Sequence, residues 1–97
     1  MTAVPDVLMY STQFCPYCVR ARRLLQQKRV AFRDIAVDRD RGLRAEMESR
    51  SGRYTVPQIW IGERHIGGFD DLWLLEQRGE LDALLGGKGQ LKTETGV

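Results

Sequence analysis

The stretch Val7-Leu8-Met9-Tyr10-Ser11-Thr12-Gln13-Phe14-Cys15-Pro16-Tyr17-Cys18 decides the fold. Its first four residues are a continuous apolar run that ends at polar Ser11 and Thr12, the pattern of a strand buried on both faces. Past the cysteines the period changes. Cys18, Ala21, Leu24 and Leu25 fall at helical spacing, and Arg20, Arg22, Arg23, Gln26 and Gln27 fill the other side. The spacing predicts an amphipathic helix ending near Lys28 or Arg29, so the cysteine pair stands where a strand gives way to a helix.

Downstream, Val30 to Val37 mixes Phe32, Ile35 and Val37 with Arg33 and Asp34, a second strand with one wetter face. Asp38 is the expected cap of a helix carrying Leu43 and Met47, which Ser51-Gly52 stops. Gln58-Ile59-Trp60-Ile61 and Arg64-His65-Ile66, separated only by Gly62-Glu63, predict a tight antiparallel hairpin closed by Gly67-Gly68. Asp70 or Asp71 is expected to cap a helix with Leu72, Leu74 and Leu75 that runs up to Arg78-Gly79, and Leu81, Leu84 and Leu85 continue with another helical turn or two. A helix between the first two strands implies a parallel βαβ unit, whereas the hairpin is antiparallel. The fold class is α/β: a small four-stranded mixed sheet with helices on both faces.

A chain of 97 residues has room for one core. Residues 1–86 are expected to form the domain. The tail 87–97 has only Leu91 and Val97 as large apolar residues, too few to offset its ordering, and is expected to be disordered. No apolar run approaches the roughly 20 residues of a membrane helix. Met1 to Asp6 lack the basic start and apolar stretch of a secretory signal, so the expectation is a soluble, cytoplasmic, monomeric protein without membrane partners. Fifteen basic and thirteen acidic residues are spread along the chain with a net charge of +2, which excludes a nucleic-acid footprint of the usual kind. Arg20, Arg22 and Arg23 are the densest basic cluster, read either as a solvated helix face or as a seat for an anionic or acidic-protein partner.

Two cysteines, three residues apart, do not make a disulfide framework and call for a chemical explanation. Cys15 occupies the cap region of the first helix, where unsatisfied N–H groups and the positive end of the helix dipole favour a thiolate. Pro16 suits the first turn because its missing N–H has no partner there. Cys18, almost one turn on, can reach back. Cys15 is therefore the expected nucleophile and Cys18 the resolving thiol in disulfide exchange, a cycle that needs no metal and no tightly bound cofactor. Half of a zinc site is a poor alternative, because His65 is the one histidine that could join the pair. A structural disulfide across so small a loop gains little.

Cys15-Pro16-Tyr17-Cys18, Thr55-Val56-Pro57, Gly67-Gly68 and Asp70-Asp71, in this order and spacing, resemble the glutaredoxins, in particular the bacterial-type dithiol members. The likeness runs from about Val7 to Leu85. It implies a thioredoxin-like fold and a glutathione-dependent reductase of protein disulfides and glutathione mixed disulfides, with glutathione as reducing cosubstrate and glutathione reductase acting indirectly. Disulfide-containing or glutathionylated proteins are the implied partners, ribonucleotide reductase among them. By the same resemblance, Pro57 is a cis-proline that leaves the backbone of Val56 free to pair with the cysteinyl part of glutathione, with Thr55 beside it. Gly68 allows close approach, Asp70 and Asp71 start a helix that receives the γ-glutamyl end, Arg53 meets the glycine carboxylate, and Tyr17 packs along the peptide. Asp70 and Asp71 can equally serve as plain helix caps. Thr12 stands where many relatives have lysine, which removes a charged contact worth about 0.2 to 1 kcal/mol. Two rivals remain open at this point. One is a thioredoxin-like donor, against which Pro16-Tyr17 argues. The other is an iron–sulfur carrier that pairs two copies through Cys15 and glutathione.

Overall fold

The computed structural model describes residues 5–86. The expected tail, 87–97, lies outside the described residues, as do residues 1–4. The element order is β1 (Val7–Ser11), α1 (Pro16–Gln27), β2 (Arg33–Ala36), α2 (Arg41–Ser51), β3 (Gln58–Ile61), β4 (Arg64–Gly67), α3 (Phe69–Gln77) and α4 (Leu81–Leu84). The strands lie in the order β2-β1-β3-β4. β1 runs parallel to β2 and antiparallel to β3, and β3 pairs antiparallel with β4 across the turn at Gly62-Glu63. The sheet is the predicted βαβ unit joined to the predicted hairpin.

Because strand side chains alternate, β1 and β3 feed two cores. Val7 and Met9 join Ile59 and Ile61 on one face, where Ala21 and Leu25 of α1, Leu72 and Leu75 of α3, and Leu81 and Leu85 close over them. Tyr10 and Trp60 point to the opposite face and meet Val37 and Met47, with Leu43 of α2 packed against them. Helices thus cover both faces, and β1 is apolar from Val7 to Tyr10 because it is covered on both.

Three boundaries differ from the sequence reading. β2 is shorter, since pairing with β1 begins only at Leu8 with Arg33. The cap of α2 is Asp40, whose Oδ1 accepts the Leu43 N–H at 2.9 Å, while Asp38 instead accepts the Gln13 N–H at 3.2 Å. Gly52, at φ 71°, ends that helix. The cap of α3 is Gly68, which moves Asp70 and Asp71 into the first turn. There Asp71 Oδ2 reaches back to accept the Gly68 N–H at 2.9 Å.

Candidate active site

Cys15 is the N-cap residue of α1, with extended backbone, and Pro16 follows at the first helical position. The Cys18 N–H donates to Cys15 Sγ at 3.4 Å, so one orphan donor of the helix start is directed at the sulfur. On its other side Cys15 Sγ lies 3.7 Å from the carbonyl oxygen of Val56. Cys15 is partly exposed, whereas Cys18 is fully buried beneath it, and both are free thiols. Burial pushes the Cys18 thiol up to about 11, and its hydrogen bond with Cys15 adds to the rise. One sulfur faces solvent at a helix start and the other is held back as a neutral thiol.

The Val56-Pro57 peptide is cis, as the resemblance implies. The backbone beside it is secured from below: the Gln58 side-chain amide donates to the Thr55 carbonyl at 3.1 Å and to Thr55 Oγ1 at 3.2 Å. Gln58 is fully buried, and its Oε1 lies 2.7 Å from Nε2 of His65. That amide was missed in the sequence reading, although a lone glutamine opening an otherwise apolar strand is the signal that marks it.

Past β4 the chain returns to the same place. A Cβ added to Gly68 would lie 3.4 Å from the Pro57 carbonyl, which shows how closely the start of α3 approaches the cis-proline. Arg53 Nη1 pairs with Asp71 Oδ2 at 3.1 Å, and both side chains are about half exposed. Burial pushes the Asp71 carboxyl up, but the Gly68 N–H and the Arg53 guanidinium outweigh it and hold the group below the usual carboxylate range. The residues assigned by resemblance to opposite ends of a ligand thus pair with each other here.

Tyr17 and Asp70 stand apart from this chain of contacts, and Thr12 joins it only through its backbone, which hydrogen-bonds the Cys18 thiol and partly offsets the effect of burial. The Thr12 carbonyl accepts from Arg22 Nη2 at 3.3 Å, and Arg22 also binds Ser11 Oγ and Asp34, a cluster not foreseen in the sequence. Tyr17 is 51% exposed with the Arg20 guanidinium 5.6 Å above its ring. Asp70 is exposed in the first turn of α3.

A parallel βαβ unit carrying a Cys-x-x-Cys pair at its strand-to-helix junction, opposite a cis-proline, defines a thiol–disulfide oxidoreductase of thioredoxin-like fold. The glutaredoxin family profile matches residues 7–66. A glutaredoxin of Pseudomonas aeruginosa is 57% identical over 82 residues, covering 84% of this chain and 98% of the relative. The solution structure of a Brucella melitensis glutaredoxin superposes with a TM-score of 0.77 at 50% identity, covering 87% of this chain and 91% of that one. A crystal structure of a buckwheat glutaredoxin–glutathione complex also gives 0.77, at 28% identity, covering 84% of this chain and 76% of that one. The chain belongs to the glutaredoxin family, and it is a thiol–disulfide oxidoreductase that uses glutathione as its reducing cosubstrate.

Proposed function

We propose that Cys15 is the attacking thiol and Cys18 the resolving one, and that glutathione lies along the backbone of Val56 with its charged ends toward Arg53 and the start of α3. The observation that carries this reading is the 3.7 Å separation of Cys15 Sγ from the Val56 carbonyl. A cysteinyl peptide that pairs with Val56 in the manner of an added strand brings its own sulfur to Cys15 without searching for it. Thr55, Pro57 and Gly68 shape that edge, and Tyr17 flanks it. Thr12 and Asp70 form its rim.

Arg53 and Asp71 take part by exchanging partners. Their mutual ion pair is half exposed and therefore weak, so an incoming zwitterion can replace it: the γ-glutamyl ammonium takes Asp71, and the freed guanidinium takes a carboxylate. The charge balance is the same before and after. The backbone N–H groups at the start of α3 are available to the γ-glutamyl carboxylate.

In the glutathione route, the Cys15 thiolate attacks the glutathione sulfur of a mixed disulfide, and the other thiol leaves and takes a proton from water. A second glutathione thiolate then attacks that same sulfur, which gives oxidised glutathione and restores Cys15. In the dithiol route, Cys18 loses its proton and attacks Cys15 Sγ of a mixed disulfide with a protein, and two glutathiones later reduce the Cys15–Cys18 bond. Proteins carrying disulfides or glutathione adducts are the substrates of this reading, ribonucleotide reductase being one that fits. We infer a cytoplasmic place of work, supported by two thiols that must be kept reduced by a glutathione pool, and residues 1–86 as the working domain.

The test follows NADPH consumption during reduction of a small mixed disulfide, with glutathione and glutathione reductase in one arm and thioredoxin reductase alone in the other. Turnover in the first arm only is expected. Turnover in the second arm only would void the glutathione seat.

A further inference from the structure

Of the three arginines clustered on α1, Arg22 turns toward β2 and is neutralised by Asp34. Arg20 and Arg23 face the other way, into a groove between α1 and α3 with a volume of about 300 Å³. Leu24, Phe69, Trp73 and Glu76 complete its walls. Neither Arg20 nor Arg23 has an ion-pair partner among the described residues. Glu76 does not supply one, because Lys28 Nζ holds it at 2.6 Å. Trp73 is 48% exposed on this surface, which leaves about half of a large apolar side chain to solvent. The groove reaches the cysteines through Arg20, whose guanidinium lies over the Tyr17 ring between Cys15 and Cys18 in the chain.

We propose that the groove between α1 and α3 is the docking track for the protein half of a substrate, and that it selects an extended segment carrying acidic residues around an apolar one next to the reactive cysteine. The inference rests on the glutathione seat described above, since that seat holds the glutathionyl half along Val56 and against the start of α3, and leaves the α1 wall and Trp73, one turn further along α3, for the protein. The occupant follows from charge complementarity. Two guanidiniums without an ion-pair partner among the described residues share the groove with a half-exposed indole, which suits a segment carrying carboxylates and an aromatic or aliphatic side chain. The spacing follows from helix geometry. Arg20 and Arg23 lie about 7.5 and 12 Å along α1 from Cys15 at 1.5 Å per residue, which an extended peptide covers in about two and four residues. Carboxylates are therefore expected about two and four residues from the substrate cysteine, with the apolar residue between them. Chemistry is unchanged: the peptide–glutathione disulfide breaks, the Cys15–glutathione disulfide forms, and the peptide leaves as its thiol.

The experiment uses the full chain and peptides of about nine residues with a central glutathionylated cysteine. Glu, Phe and Glu occupy the second, third and fourth positions on both sides, and a matched peptide carries Lys in place of Glu. At low salt the Glu peptide is expected to exceed the Lys peptide in kcat/KM by about tenfold, with the advantage shrinking as salt rises. Arg23→Glu should reverse the preference, and Trp73→Ala should lower kcat/KM for both peptides severalfold. Turnover of the cysteine–glutathione mixed disulfide should stay within about twofold of the parent in Arg23→Glu, which also shows that the variant folds. Equal rates for the two peptides, or a preference untouched by Arg23→Glu, would overturn the track. Failure of the parent on the small mixed disulfide would instead remove the glutathione seat, so the two failures are told apart.

Discussion

Two helices begin beside the Val56-Pro57 step, and they begin in opposite ways. α1 is capped by the sulfur of Cys15, which accepts the Cys18 N–H and faces the Val56 carbonyl. α3 is capped by a closed circuit in which Asp71 accepts the Gly68 N–H and pairs with Arg53. In the proposed mechanism the first start ends on the atom that reacts, so its capping group would change with every turnover as thiolate, mixed disulfide and disulfide follow one another. By the same proposal the second would keep its N-cap bond and exchange only its outer ion pair. One site needs both: a helix end that is altered by the chemistry, and another that holds the ligand while this happens.

The largest effect expected is at the first start. Serine is a good N-cap, so Cys15→Ser should leave the thermal midpoint nearly unchanged while abolishing turnover, a loss on the order of a thousandfold or more. Cys18→Ser should keep reduction of glutathione mixed disulfides and lose the dithiol route. Equal loss in both variants would erase the difference in role between the two sulfurs.

At the second start the sensitive position is Gly67. A Cβ there would lie 2.3 Å from Asp71 Oδ2 and 3.0 Å from Arg53 Nη1, on a backbone with φ of 116°. Gly67→Ala should push Asp71 off the Gly68 N–H, raise the KM for glutathione by about tenfold and cost about 1–3 kcal/mol of stability. Gly79 supplies the control. It also has positive φ, at 74°, but nothing lies within 4 Å of its Cβ position. Gly79→Ala should therefore cost stability through backbone strain alone and leave the KM unchanged. A matching KM increase in both variants would show that general destabilisation, not the Asp71 circuit, controls glutathione binding.

The two starts should also respond to opposite ends of the pH scale. Asp71 is held below the usual carboxylate range, so its contribution to stability is present above its unfolded value, about 3.9, and is lost as pH falls through the folded value. The KM for glutathione should be insensitive to Asp71 between about pH 8 and pH 5. Cys18 is pushed up to about 11, so its contribution is fully present below the unfolded thiol value, about 8.5, and is lost as pH rises toward 11. Its burial persists when Cys15 is in a mixed disulfide. The resolving step should then go on quickening as pH rises past the point where a free thiol levels off, whereas the glutathione route in Cys18→Ser, limited by the free glutathione thiol, should level off first. Stopped-flow measurement of both steps checks this, and a resolving rate that is flat above pH 8 would mean that burial does not control Cys18.

How much of this could be read from the chain depends on how local the cause is. The uninterrupted run Val7–Tyr10, the Cys-x-x-Cys junction and the two-residue turn at Gly62-Glu63 are local patterns, and each reappears in the fold where it was expected. The cap of α2 was misassigned because Asp38 and Asp40 are equally good caps two residues apart. The choice is made by the Gln13 N–H, which occupies Asp38 from across the fold. Likewise Asp70 and Asp71 carry the composition of a cap, but Gly68 takes that place and Asp71 closes the turn from within. Nothing local announces the Arg53–Asp71 pair, since the whole hairpin lies between the two residues. The Tyr10 hydroxyl donating to Glu46, and accepting from Arg50 at 2.9 Å, is likewise a product of packing α2 on the sheet.

The smallest effect concerns Thr12, which stands where the resemblance to glutaredoxins implies a lysine. Thr12 carries no charge, and its carbonyl is already engaged by Arg22. Thr12→Lys introduces a solvent-exposed cation beside the first helix start, worth about 0.2 to 1 kcal/mol toward a ligand carboxylate. The KM for glutathione should fall by about 1.4- to 5-fold at low salt, and the gain should vanish at high salt because an exposed pair is screened. The informative measurement is the same substitution in an Arg53→Ala background. If Arg53 carries the carboxylate after leaving Asp71, its removal should raise the KM in the parent, and Thr12→Lys should then recover part of the loss, with a larger gain than in the presence of Arg53. Identical gains in the two backgrounds would mean that the two positions act independently. No KM change on removing Arg53 would confine it to its pairing with Asp71, and the second helix start would then hold its ligand by backbone and carboxylate alone.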